Sequence, residues 1–227
     1  MFQHLFNLVF PKKCLGCNET IINTKHYICP ECLHSLDFVT VGNHSNPTLL
    51  TRFFGKLPLV CANGLIYYDK KEVSHNLIHE LKYKDQQNIG FLFAELTFEK
   101  YKNHIAFKEV DELVAVPLHK KKEKERGYNQ LDSFGKRLSE LTGIPYNKER
   151  LTRNFYTTPQ AMKKNLFLRS SLKSDLFTVN YNESDYGKHF MILDDVVTTG
   201  STLEILGKEL LKIPNSKIST FFMAVTK

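Results

Sequence analysis

Thirteen consecutive residues constrain the fold of this chain more than any other stretch. Phe190, Met191, Ile192 and Leu193 form an apolar run, Asp194 and Asp195 follow, and Val196, Val197, Thr198, Thr199, Gly200, Ser201 and Thr202 complete the segment. The apolar run suits a strand buried on both faces of a parallel sheet. The Thr/Gly/Ser stretch suits a loop opening a helix that continues through Leu203, Leu206, Leu210 and Leu211. A strand, loop and helix in that order place ligand chemistry at the carboxyl end of the strand.

The residue types say which ligand. Backbone N–H groups at a helix N-terminus lack intrahelical partners and carry partial positive charge, so Thr199 to Thr202 can hold a phosphate with amides and hydroxyls together. Gly200 lets the backbone approach closely. Paired carboxylates repel a phosphate but accept hydrogen bonds from the vicinal hydroxyls of a ribose. A helix cap needs one hydroxylated residue, and five small or hydroxylated residues in succession exceed that need. The parts describe a site for a sugar phosphate.

A chain of 227 residues can bury one sizeable core with a small appendage. Its 42% hydrophobic and 24% charged residues are those of an ordinary globular protein and exclude a disordered chain. The net charge of +7 favours anionic ligands without choosing between phosphate esters and nucleic acid. Gln3, His4 and Asn7 interrupt the apolar residues of Met1 to Phe10 and Pro11-Lys12-Lys13 follows, which reads as neither a signal peptide nor a membrane-spanning helix. The expected location is the cytoplasm.

Cys14 and Cys17 form one CxxC pair, and Cys29 and Cys32 form another after eleven intervening residues. In a reducing compartment, four thiolates at this spacing fit a tetrahedral zinc site better than disulfides. Four thiolates leave no open coordination position, so the zinc is expected to be structural and to supply the folding energy of a segment with few apolar residues. His26 and His34 read as surface residues. A redox role is disfavoured because two pairs recur together with no strand and helix framing either. Cys61 among Leu59, Val60 and Ala62 reads as a buried core thiol.

Val39 to Pro58 contains Gly42, Asn43, Ser45, Asn46 and Pro47 and reads as a linker or loop. Strands are expected over Leu59–Tyr68, Leu113–Leu118 and Lys217–Val225, with helices over Lys71–Lys84, Phe91–Tyr101 and Gly127–Leu141. Strands and helices thus alternate, which predicts a parallel sheet. Between the second strand and the third helix, His119 to Arg126 carries five Lys or Arg and two Glu and reads as a basic loop. Such a run is ordinarily a solvated surface. Leaving one parallel strand beside another strand's end, it could instead set Lys120, Lys122 or Arg126 against a diphosphate.

All thirteen residues of the opening segment resemble the phosphoribosyl pyrophosphate signature of type I phosphoribosyltransferases. The whole chain resembles the ComF family of competence protein F-like proteins. Four features in the right order carry that resemblance: the CxxC pairs, Leu81-Lys82-Tyr83-Lys84, Val116-Pro117-Leu118 leading to Arg126-Gly127-Tyr128-Asn129-Gln130, and the segment ending in Thr202. Thr158, Gln160, Leu166, Arg169 and Phe177 fit a further family segment, in which Leu172 and Asp175 depart from the family's usual Asn and Gly.

The resemblance implies an α/β fold with a type I phosphoribosyltransferase-like, mostly parallel sheet flanked by helices, over residues 51–227, preceded by a small zinc-binding head over 1–50. It implies that Asp194 and Asp195 meet ribose hydroxyls and that Thr198, Thr199, Gly200, Ser201 and Thr202 wrap the 5-phosphate. Lys82 and Lys84 would lie near the cleft rather than simply end a helix, and Tyr128 would either stack a base or anchor its loop. The implied cofactors are structural Zn²⁺ on Cys14, Cys17, Cys29 and Cys32, and Mg²⁺ with phosphoribosyl pyrophosphate. Three roles follow: transfer of ribosyl phosphate to an unidentified acceptor, handling of single-stranded DNA with competence DNA-uptake proteins at the inner face of the membrane, or ligand sensing without turnover.

Overall fold

The computed structural model describes residues 12–21, 27–42, 45–155 and 176–227. His26, Met1 to Phe10, and Thr158, Gln160, Leu166, Arg169, Leu172 and Asp175 lie outside the described residues.

Five strands form one sheet in the order β1-β7-β6-β2-β3, every neighbouring pair parallel: β1 Ala62–Tyr68, β7 Lys217–Thr226, β6 His189–Val197, β2 Glu112–Ala115 and β3 Tyr146–Asn147. Parallel neighbours need crossover connections. These are supplied by α3 Val73–Tyr83 and α4 Asn88–Tyr101 between β1 and β2, α7 Gln130–Thr142 between β2 and β3, and α8 Ser201–Leu210 between β6 and β7. Consecutive strand residues point to opposite faces, and Phe221 and Phe222 of β7 identify the two layers. Phe221 meets Tyr101 of α4 and Phe134 of α7, with ring centroids 5.1 and 6.3 Å away, whereas Phe222 stacks on Phe53 at 6.4 Å. Both phenylalanines are fully buried, so the sheet is covered on either side.

Phe53 belongs to an element that the sequence reading treats as linker. Within Val39 to Pro58 the chain forms α2, Pro47–Phe53, whose cap Asn46 accepts a hydrogen bond from Leu49 N at 3.1 Å. An Asn followed by Pro at the first helical position is a helix-start signal, and the burial of Leu49 and Phe53 holds the short helix against the sheet. The stretch before it pairs with β1: Val39 N donates to Leu65 O, Tyr67 N to Asp37 O, and Asn46 N to Ala62 O.

The basic segment is likewise a helix, α6 Lys120–Arg126, and not a loop. Lys, Glu and Arg are good helix formers, the His119 ring accepts from Lys121 N, and Gly127 closes the helix at φ +82°. A separate two-stranded antiparallel sheet is formed by β4 Leu151–Arg153 and β5 Phe177–Val179. The buried Arg150 anchors it through Glu112 at 2.7 Å and Asp185 at 2.6 Å.

The cysteine head carries α1, Pro30–His34, and packs on α3, where Asn76 Nδ2 donates to Gly16 O at 2.7 Å. The four-residue α5, Ile105–Lys108, precedes β2. No helix among the described residues is long and apolar enough to cross a membrane.

Candidate functional site

The strand order reverses between β2 and β6: from β2 the chain moves outward to β3, and from β6 it moves the other way to β7. In an open parallel sheet that reversal leaves a crevice at the strands' carboxyl ends. β6 delivers Asp194, Asp195 and the Thr198–Thr202 loop to it; β2 delivers Pro117, Leu118 and α6.

Gly200, at φ +74°, is the residue before α8, and a Cβ there would lie 2.4 Å from the Phe53 ring. Thr198, Thr199, Ser201 and Thr202 are exposed around it, and the Thr199 and Ser201 hydroxyls are 3.0 Å apart. The loop thus presents hydroxyls and the unpaired first-turn amides of a ten-residue helix.

Strand alternation splits the acidic pair. Asp195, 6% exposed, faces α3 and α7: its Oδ1 accepts from Lys82 Nζ at 2.7 Å and its Oδ2 from Gln130 Nε2 at 2.5 Å. Asp194 projects from the opposite face of the strand, its Oδ1 accepting from Asp195 N at 2.9 Å. Burial, reinforced by the Asp195 charge, pushes the Asp194 carboxyl up to about 8.

Gln130 uses both ends of its amide, for its Oε1 accepts from Arg126 Nη1 at 2.7 Å. Arg126 also lies 5.0 Å over the ring of Tyr83, which is 64% exposed. Arg126, Gln130, Asp195 and Lys82 therefore form a continuous line joining α6, α7, β6 and α3. The Tyr128 hydroxyl donates to Leu81 O, which makes this residue an anchor between α6 and the end of α3.

Lys84 pairs with Glu80 at 3.0 Å on the exposed side of α3. Lys120 lines a cavity of about 410 Å³ with Pro117, Leu118, Asn129 and Arg153, and Lys122 is half-buried on the same helix. Sequence reasoning places Gln130 in a motif without giving it a role. Arg52, described below, carries no sequence signal at all.

In the head, the sulfurs of Cys14, Cys17, Cys29 and Cys32 all lie within 4.8 Å of one another, with Cys17 and Cys29 at 3.9 Å. Tetrahedral thiolates at zinc are separated by roughly 3.8 Å, so these four side chains fit a structural Zn²⁺. Burial opposes ionisation of Cys14, but the N–H groups of Cys17, Cys29 and Gly16 outweigh it and bring the thiol down to about 7. Burial raises Cys32 well above the usual thiol range.

An open parallel α/β sheet with an acidic strand end and a Thr/Gly/Ser loop at its switch point is thus joined to a head whose four cysteines could hold a metal ion. The double zinc ribbon domain family matches residues 5–43. Competence protein F of Haemophilus influenzae is 25% identical over 226 residues, covering 95% of this chain and 97% of that protein, so the resemblance to the ComF family extends across head and sheet alike. DNA utilization protein YhgH of Escherichia coli strain K12 is 29% identical over 139 residues, 60% of each chain. Adenine phosphoribosyltransferase from Leishmania tarentolae is a structural neighbour with a TM-score of 0.40 and 11% identity, covering 84% of this chain and 95% of that one.

Proposed function

We propose that the chain binds phosphoribosyl pyrophosphate, together with Mg²⁺, in the crevice between β2 and β6. The observation that carries this reading is the Thr198–Thr202 loop, which opens α8 at the switch point of the sheet directly after the acidic strand end. In this reading the loop amides and hydroxyls take the 5-phosphate, and Asp194 takes the ribose hydroxyls. Lys82, Lys120, Lys122 and Arg126 supply positive charge towards the diphosphate, with Lys84 further out on α3. Asp195 acts in part by aiming Lys82 and Gln130.

Mg²⁺ keeps several water ligands and binds through phosphates and one or two carboxylates, so it needs no closed protein cage. A crevice with cations around it and at its edge the Asp194 carboxyl, which a bound cation would help to ionise, fits that habit. When bound, the ion supplies neutralisation of diphosphate charge. If transfer occurs, the C1–O bond to diphosphate breaks with the electron pair leaving on oxygen, and the acceptor's lone pair forms the new bond at C1. The protein's share is to hold the sugar and stabilise the departing charge.

The test is calorimetric titration with phosphoribosyl pyrophosphate and Mg²⁺, comparing the wild type with the Asp194→Asn, Asp195→Asn double variant. Binding by the wild type and marked loss in the variant, with unchanged circular dichroism, are expected. Equal heats would remove the ribose-holding role. The names of the relatives, competence protein F and DNA utilization protein, support a place for this binding in competence or DNA use.

One observation favours a second reading, a non-catalytic handler of single-stranded DNA: the exposed Tyr83 ring backed by Arg126 is a stacking platform within a basic surface. A strand-tracking binder loses affinity steeply with salt, whereas the sugar-phosphate site depends on Mg²⁺ and Asp194. Retained ligand binding with no turnover would make the protein a sensor.

A further inference from the structure

The segment joining the head to the sheet ends on the loop assigned above to the 5-phosphate. Arg52, in the last turn of α2, donates from Nη1 to Thr198 O at 3.1 Å and to Thr226 Oγ1 at 3.2 Å, and from Nη2 to Thr226 O. Thr226 Oγ1 in turn donates to Val197 O at 3.1 Å. The next residue, Phe53, lies 1% exposed beneath Gly200, where the space a Cβ would need is taken by its ring. Two consecutive residues of a seven-residue helix thus hold both ends of the turn from β6 into α8, one by charge-assisted hydrogen bonds and one by packing.

We propose that Arg52 is a positioning residue for the phosphate loop. By tying Thr198 O to the end of β7, it fixes the direction in which the amides from Thr199 to Thr202 point. A carbonyl held by a guanidinium cannot rotate without breaking a charge-assisted bond. Thr198 is the first residue beyond β6, so its peptide sets the path of the chain into Gly200, which is confined to a left-handed conformation over an immovable ring. Amides that converge on an anion are effective only while they stay convergent, because reordering them on binding costs free energy. The ligand assignment rests on the function proposed above; the ordering of the loop by Arg52 does not.

The test uses the full-length, zinc-loaded chain with Arg52→Met and Arg52→Lys, read by ¹⁵N NMR order parameters of the loop amides and by titration with Mg²⁺ and phosphoribosyl pyrophosphate. In Arg52→Met, the order parameters of the amides from Thr199 to Thr202 should fall from those of rigid backbone, ~0.85, to below ~0.6, while those of β6 and β7 and the zinc content stay as in the wild type. Affinity should fall about tenfold, or about 1.4 kcal/mol. Arg52→Lys, which keeps the charge but not the fork, should recover little of either.

Unchanged order parameters in Arg52→Met would overturn the proposal. So would full recovery of affinity by Lys over a loop whose order parameters stay low, because the side chain would then act through its charge alone. A wild type that binds no phosphoribosyl pyrophosphate, with the loop still loosened in the Met variant, would keep Arg52 as the positioning residue and reject the ligand.

Discussion

Asp195 gives both carboxylate oxygens to Lys82 and Gln130, while Asp194 is left on the other face of β6 with its ionisation opposed by burial and by its neighbour. The folded carboxyl of Asp194, at about 8, lies above the ordinary aspartate value of ~3.9. Between those values the native state binds the extra proton, so this group makes stability fall as pH rises through the window and adds no further change above it. Asp194→Asn removes the effect: its melting temperature should match the wild type near pH 4 and exceed it at pH 8 by more than the ~2–4 °C that one kcal/mol is worth in a chain of this size. A constant difference across that range would show that Asp194 ionises normally. Gly200→Ala meets both a positive φ and the Phe53 ring, and urea melts should show a loss on the order of 1–3 kcal/mol. The acidic pair and its loop are legible in the sequence because thirteen adjacent residues carry their own chemistry. The occupation of Asp195 is not, because Lys82 and Gln130 are 113 and 65 positions away and only the fold brings them in.

Helix α6 illustrates what charge conceals. Reading His119 to Arg126 by its cations gives a loop; reading the same residues by helix propensity and by the Gly127 stop gives the helix that is found. Replacing Lys120, Lys122 and Arg126 together by Ala keeps the helix and should weaken phosphoribosyl pyrophosphate by at least tenfold with the melting temperature within a few degrees; unchanged affinity would return α6 to a merely solvated surface. The β4–β5 pair depends on Arg150, which is held by Glu112 and Asp185 in a buried cluster. Arg150→Met strands those carboxylates and should cost about 3–5 kcal/mol in denaturant melts at pH 7. Burial works against ionisation of Asp185, but Arg150 and Lys188 prevail and hold its carboxyl far below the usual range. That contribution is complete above about pH 4 and lost as pH falls further, while carboxyls stranded in the variant regain protons at higher pH, so the gap between wild type and variant should be largest near pH 7 and narrow as pH falls towards 4. The alternation of strands and helices was readable from periodicity. Helix α2 was not, because Asn46-Pro47 punctuates a loop and caps a helix equally well, and the contacts of Leu49 and Phe53 with the sheet decide between them.

The molecule as a whole joins a head whose four cysteines could hold a metal ion to a sheet that supplies its own core. Protein purified without chelator should carry close to one zinc per chain, and Cys29→Ser should lose it along with the ordered structure of the head; a ratio near zero in the wild type would reject the four-thiolate site. The paired CxxC spacing made that head legible from sequence, whereas its seat on α3 was not, since Asn76 reaches Gly16 across 60 positions. After the head, Asp37, Val39 and Asn46 hydrogen-bond to β1, the outermost strand on that side. An uncovered strand edge is a template for another chain. A fragment beginning at residue 51 would therefore expose a row of free amides and carbonyls and should self-associate at concentrations where the full chain does not. Any relative that dispensed with the cysteines while keeping this sheet would still need something to occupy that border, so the connecting segment is under a constraint that outlasts the metal.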